Sequence, residues 1–169
     1  MKINPKLREF LNRRDKEGSL NFNGLYKIIK NNNLDVNVVN INGATGFCDG
    51  KSVFIDLDKL EGKNDSDSFF IIAHELSHLM RFKKKGSDYA INIYKVPTFE
   101  EYTKLGFFEE KFADKLACLI YFQLNKKIYH NRRPDYMIKQ AIDSTRFIFD
   151  MINSSKITYE ELLSQFISK

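Results

Sequence analysis

Apolar positions recur at two spacings along the chain, and together they predict helices packed around one short sheet. Leu7, Phe10 and Leu11 fall at helical spacing in a highly charged stretch, so residues 6–16 predict a helix that Gly18 ends. A second helix carries Phe22, Leu25, Tyr26, Ile28 and Ile29, with Ser19 as its cap and Asn31-Asn32-Asn33 as its stop. Val36, Val38, Val39 and Ile41 read as a strand, followed by an Asn42-Gly43 turn. Residues 46–49 predict a second short strand, Asp49-Gly50 a hairpin, and residues 52–57 a third strand. The expectation is a small antiparallel sheet of about three strands, placed before the first long helix.

That helix, capped by Ser66 or Asp67, spans residues 68–82. Ile72, Leu76 and Leu79 form one apolar stripe, while Ile71, His74 and His78 share another, and a helix apolar nearly all round is normally buried. Residues 83–105 predict a long connection, interrupted at Pro97, in which Thr98 and Glu101 cap a short helical turn. Connections of this length often serve as lids or binding loops. A second long helix covers residues 107–125. Pro134 suits the first position of a further helix. Thr158 and Glu161 form a capping box for a last helix ending at Phe166. The element order describes an α+β single domain, residues 1–169, with about five to six helices on the sheet. Within it, residues 1–18 form an N-terminal helical extension, 20–125 the core and 131–169 the C-terminal helices.

Composition narrows the setting. Fifteen Phe and eight Tyr in 169 residues supply a sizeable core. No apolar run approaches the roughly 18–20 residues of a membrane span. The opening residues 1–6 lack a leader's apolar stretch, and Cys48 and Cys118 are too few for a disulfide framework. A cytoplasmic protein is expected, with no membrane partner. The net charge of +5 allows an acidic partner. However, Lys83-Lys84-Lys85, Lys126-Lys127 and Arg132-Arg133 lack aromatic interleaving or a known reader motif. They read as solvated helix ends, and nucleic acid is not an expected partner.

His74-Glu75-Leu76-Ser77-His78 fits the pattern H-E-x-x-H on a helix. Residues four apart lie one turn apart on one face, so two imidazoles converge on one ion. Zinc takes such nitrogens at about 2.0–2.1 Å, and Glu75 projects beside them as a general base for an activated water. The chain has three His, and two of them are in this motif. The third ligand must come from elsewhere, from His130 or from Glu109, Glu110 or Asp114 on the next long helix. Glu110 and Asp114 share a face with Ala113 and Ala117, whose small side chains let two helices approach. That face points to Glu110 as ligand and to Asp114 as acceptor from the outer nitrogen of a ligand His. A peptidase also needs a donor for the oxyanion, for which Tyr89, Tyr94, Tyr102, Tyr121 and His130 all qualify. Cys48, in a Gly-flanked turn near the cleft, reads as an inert thiol, and Cys118 reads as core.

The segments Ala73-His74-Glu75-Leu76-Ser77-His78-Leu79 and Glu110-Lys111-Phe112-Ala113-Asp114-Lys115-Leu116-Ala117 together resemble the ImmA/IrrE metallopeptidase family. That family pairs an A-H-E-L-G-H-like helix with a later E-x-x-A-x-x-F-A-like helix, after an N-terminal helix and a short strand cluster. The resemblance covers about residues 20–122. Ser77 stands where Gly is usual and Leu116 where Phe is usual. The resemblance implies a gluzincin-like, zincin-type fold with zinc on His74, His78 and Glu110, and Glu75 as general base. It also implies a cytoplasmic protease that cleaves a transcriptional repressor or other regulator. The alternative is a non-proteolytic module of the same fold that docks onto a regulator or nucleic acid. An intact Glu75 argues for catalysis, because a pure binder has no need of a base.

Overall fold

Helix α1 (Pro5–Glu17) and helix α2 (Phe22–Asn31) pack against each other and bury their apolar faces. The computed structural model describes residues 3–86 and 88–168; Met1 and Lys2, read above for a leader, lie outside them. The cap of α2 is Asn21, whose side chain accepts a hydrogen bond from the Gly24 amide at 2.8 Å, rather than Ser19. The triple Asn ends α2 as expected, with Asn33 at φ 49°.

The expected first strand is split into β1 (Val36–Val38) and β2 (Asn40–Ile41). Strands β3 (Gly46–Cys48) and β4 (Val53–Ile55) follow. The sheet is mixed rather than antiparallel, in the order β1-β4-β3: β3 pairs antiparallel with β4 through the hairpin, but β1 runs parallel to β4. The direction of β1 follows from the intervening β2, which leaves the sheet. At the hairpin, Asp49 Oδ1 accepts from the amides of Lys51 and Ser52. Gly50 there has φ 94°, and a Cβ on it would stand 2.6 Å from the Ala90 Cβ, so no other residue fits without movement.

Residue 57, expected as strand, opens a short helix, α3 (Leu57–Glu61), capped by the Asp56 side chain. Helix α4 (Asp65–Lys85) carries the motif and begins three residues earlier than its spacing predicts. Its cap is Asn64, which accepts from the Asp67 amide at 2.8 Å. Lysines 83–85 lie in its last turn, where they complement the helix dipole. The long connection is shorter than expected. It holds helix α5 (Tyr89–Tyr94), and the Thr98 cap opens the full helix α6 (Phe99–Asn125) rather than an isolated turn.

Helices α7 (Asp135–Asp143), α8 (Arg146–Asn153) and α9 (Tyr159–Phe166) complete the helical part. Pro134 sits at the cap of α7, and the Thr158/Glu161 box at the start of α9 is formed as expected. A last strand, β5 (Ile167–Ser168), pairs antiparallel with β2. The fold is α+β, with nine helices among the described residues.

Helices α4 and α6 pack along each other, with Ala73, Ala113 and Ala117 fully buried where they meet. The main core joins α1, α2, α4 and the sheet. Its aromatic centre is Phe22 edge-on to Phe69, and Phe69 edge-on to Tyr121, each at 5.3 Å between ring centroids. A second core gathers Phe82, Ile93, Tyr102, Ile138, Ile142 and Phe149 from α4 to α8. The candidate metal site lies on α4 and α6.

Candidate metal centre

Helix α4 sets His74 and His78 one turn apart, and α6 brings Glu110 against them. His74 Nε2 and His78 Nε2 are 3.1 Å apart. Glu110 Oε1 is 3.2 Å from His78 Nε2, and Glu110 Oε2 is 3.5 Å from His74 Nε2. Two ligands on a tetrahedral ion, each at about 2.0–2.1 Å, stand roughly 3.3–3.4 Å apart. The three observed separations bracket that value, so the donor set could hold a metal ion. Both imidazoles are buried, and His78 Nδ1 has no hydrogen-bond partner among the described residues.

Asp114, one turn beyond Glu110, places Oδ1 2.8 Å from His74 Nδ1, in the position expected of a group that orients a ligand imidazole. The electrostatics favour positive charge here. Burial opposes charge on His74, yet Asp114 and Glu110 outweigh it and hold the imidazole up at about 10. Burial likewise opposes ionisation of Glu110, but contacts with His74 and His78 hold it well below the usual carboxylate range. Asp114 is lowered in the same way, chiefly through His74 against the cost of burial. A metal cation and a proton compete for one well of negative potential. Glu75, half-buried beside the pair, is shifted upward by burial, the direction that suits a general base.

Ser77, between the two imidazoles on α4, is buried and donates to the Ala73 carbonyl at 2.6 Å. Its hydroxyl is therefore satisfied within α4. Leu116 packs against the main core. Glu109 is not part of the donor set. It is buried with Arg81, whose Nη2 lies 3.0 Å from Oε1, and it accepts from the Tyr89 hydroxyl at 2.6 Å.

The donors open onto a cleft of about 690 Å³. No protein-family model, curated protein or solved structure matches the chain. The site is accordingly read from its own geometry. Of the expected oxyanion donors, Tyr94 and Tyr102 line the cleft. The Tyr102 hydroxyl is 2.9 Å from Thr145 Oγ1. Tyr89 is committed to Glu109, Tyr121 lies in the core 3.0 Å from Ser66 Oγ, and His130 is exposed and not among the residues lining the cleft. Cys48 lines the cleft, with burial pushing its thiol well up, so it is held as the neutral thiol.

Three features of the cleft escape sequence reasoning. Arg133, read above as a solvated basic residue, turns inward: its Nη2 is 2.6 Å from Glu110 Oε2 and 3.4 Å from Asp114 Oδ1. Tyr159, at the start of α9, joins the wall beside Tyr94. Gly46 on β3 passes directly over the base, and a Cβ there would stand 3.0 Å from Glu75 Cγ and 3.3 Å from the Phe54 carbonyl. The sequence places Gly46 at the start of a predicted strand but not over Glu75, and nothing local to Arg133 or Tyr159 signals the cleft.

Proposed function

We propose that the protein is a zinc-dependent endopeptidase of the ImmA/IrrE kind, acting on a protein regulator such as a transcriptional repressor. The observation that carries this reading is the convergence of His74, His78 and Glu110 with Glu75 beside them, at the floor of an open cleft. His74, His78 and Glu110 would hold the ion, leaving one position for water or substrate. Zinc bound there supplies a Lewis acid that polarises a scissile carbonyl and lowers the pKa of water.

The remaining work falls to side chains. Glu75 takes the proton of the attacking water and delivers it to the leaving amine. Asp114 fixes the tautomer of His74. Arg133 is the donor we assign to the developing oxyanion. A guanidinium carries five N–H donors, and both contacts of Arg133 to the acidic pair run through Nη2 alone. Strand β3 is the edge of its sheet and lines the cleft, so an extended peptide can add to it by main-chain hydrogen bonds. No helix is long and apolar enough to cross a membrane.

The test is co-expression with candidate transcriptional regulators from the same genome, followed by intact-mass analysis of each regulator. The native protein should cut one of them, and Glu75→Gln should lose about 10²–10⁴-fold in rate while keeping its fold and metal. Equal cutting by both proteins refutes the mechanism. Binding by both with cutting by neither favours the non-proteolytic module.

A further inference from the structure

Helix α6 has two faces. The inner one carries Glu110, Asp114 and the alanines that meet α4. On the outer one, Phe108, Phe112, Lys115, Leu119 and Phe122 recur at alternating steps of four and three residues. At about 100° per residue these side chains lie on the side of the helix turned away from Glu110. Phe108 is 54% exposed, Leu119 and Phe122 are each 49% exposed, and Phe112 is half-buried between them. None of the four apolar residues belongs to either core. Single exposed apolar residues need no explanation, but a row of them along one helix marks a contact surface.

The spacing and the charge of the row describe what covers it. An average step of 3.5 residues makes a narrow seam, the shape taken by one further helix. At 1.5 Å per residue it runs for about 21 Å. Two of its rings are already held: the guanidinium carbon of Arg81 lies 5.1 Å from the Phe108 centroid and 4.2 Å from that of Phe112, and Arg81 is itself fixed by Glu109. Rings fixed beforehand lower the ordering cost of an association. The charge around the seam is positive. Between residues 111 and 127 the only acid is Asp114, which is buried against His74. Lys115 sits within the row, exposed and without an ion-pair partner among the described residues. A second copy docked antiparallel, with Phe108 against Phe122 and Phe112 against Leu119, would set Lys115 against Lys115, and like charges so placed are costly.

We infer that the outer face of α6 is a docking seam for an acidic amphipathic helix of a partner protein. That helix would carry Leu or Phe at the same spacing and Glu or Asp beside them, so that its apolar stripe covers the seam and its carboxylates meet Lys115. The seam does not depend on the reading of the cleft, because it lies across α6 from the metal donors. A docked partner leaves the cleft free.

The probe is a fluorescein-labelled peptide of three heptads Glu-Leu-Gln-Glu-Leu-Glu-Ala, and its binding to the full-length Glu75→Gln protein is read by fluorescence anisotropy. Two comparison peptides carry Lys for every Glu, or Ser for every Leu. The acidic Leu peptide should bind at least about 10-fold tighter than either. Leu119→Ser and Phe122→Ser should each weaken it by about 10-fold while leaving the melting temperature in place, since both positions lie outside the cores. Lys115→Glu should move the preference towards the basic peptide. A chelator should change none of this. Equal binding of the three peptides overturns the proposal, as does unchanged binding in both Ser variants. Binding lost with the chelator places the peptide in the cleft and overturns it as well. A dimer of the free protein that Leu119→Ser dissolves would assign the seam to a second copy. Adsorption to phosphatidylserine vesicles that Leu119→Ser abolishes, without peptide binding, would assign it to a membrane surface. Either result overturns the acidic helix as occupant. A protein that binds the acidic peptide but cleaves no regulator keeps the seam and loses only the proposed activity.

Discussion

At the scale of single residues, the site divides into donors and the groups that hold them. Glu110→Ala should remove most zinc affinity, while His130→Ala keeps it, because His130 is exposed and outside the cleft. Asp114→Ala should cost a milder 10–100-fold or so, the usual loss when the partner of a ligand His is removed. Competition against a fluorescent chelator measures all three. Retention of full affinity in Glu110→Ala would refute the donor set. Glu109→Ala should behave differently again. It leaves Arg81 half-buried without its carboxylate, so it should lose about 3–5 kcal/mol of stability with metal affinity little changed. The four-residue spacing of His74 and His78, and of Glu110 and Asp114, was legible because helical geometry is local. The inward turn of Arg133 was not, since it depends on how the segment between α6 and α7 folds back onto α6.

At the scale of elements, the sequence locates six of the nine described helices, missing the short α3, α5 and α8, and does not show how neighbours share residues. The Thr98 and Glu101 signal was a real cap, yet it opens 27 residues of helix rather than one turn. The pairing of β2 with β5 joins residues 40–41 to 167–168. No local pattern encodes so distant a contact. The irregular exit of β2 from the sheet is tied down by Asp56, which accepts from the Ile41 amide at 3.0 Å and the Lys59 amide at 3.2 Å. Burial opposes the Asp56 charge, but those amides and the Lys59 ammonium outweigh it and lower the carboxyl below its ordinary value. A carboxyl lowered in the folded state contributes stability that is complete above its unfolded value of about 3.9 and fades as pH falls through the folded value. Urea unfolding of native and Asp56→Ala protein should therefore differ by about 1–3 kcal/mol at neutral pH. The gap should shrink on going to pH 3. A gap of equal size at both values would show that the charge of Asp56 contributes nothing.

At the scale of the whole molecule, the ion is expected to staple α4 to α6, the pair on which both cores lean. Anything that binds only the folded state stabilises it, by about 2.7 kcal/mol when present at 100 times its dissociation constant. For a domain of this size that corresponds to roughly 5–11 °C in melting temperature. Added zinc should raise the transition by that order, a chelator should return it, and His74→Ala should be insensitive to both. An equal zinc response in His74→Ala would place the ion elsewhere.

The inward guanidinium of Arg133 also has a stoichiometric meaning. With both imidazoles neutral, as ligands require, and with Glu75, Glu110 and Asp114 ionised, the centre would hold three negative charges, of which Arg133 answers one. The remainder is two, which a divalent ion cancels. A monovalent ion would leave the half-buried cluster with an unanswered negative charge and a trivalent ion with a surplus positive one, and stranding a charge in low dielectric is costly. For an ion held by His74, His78 and Glu110, this count would favour a divalent one through a residue outside the donor set.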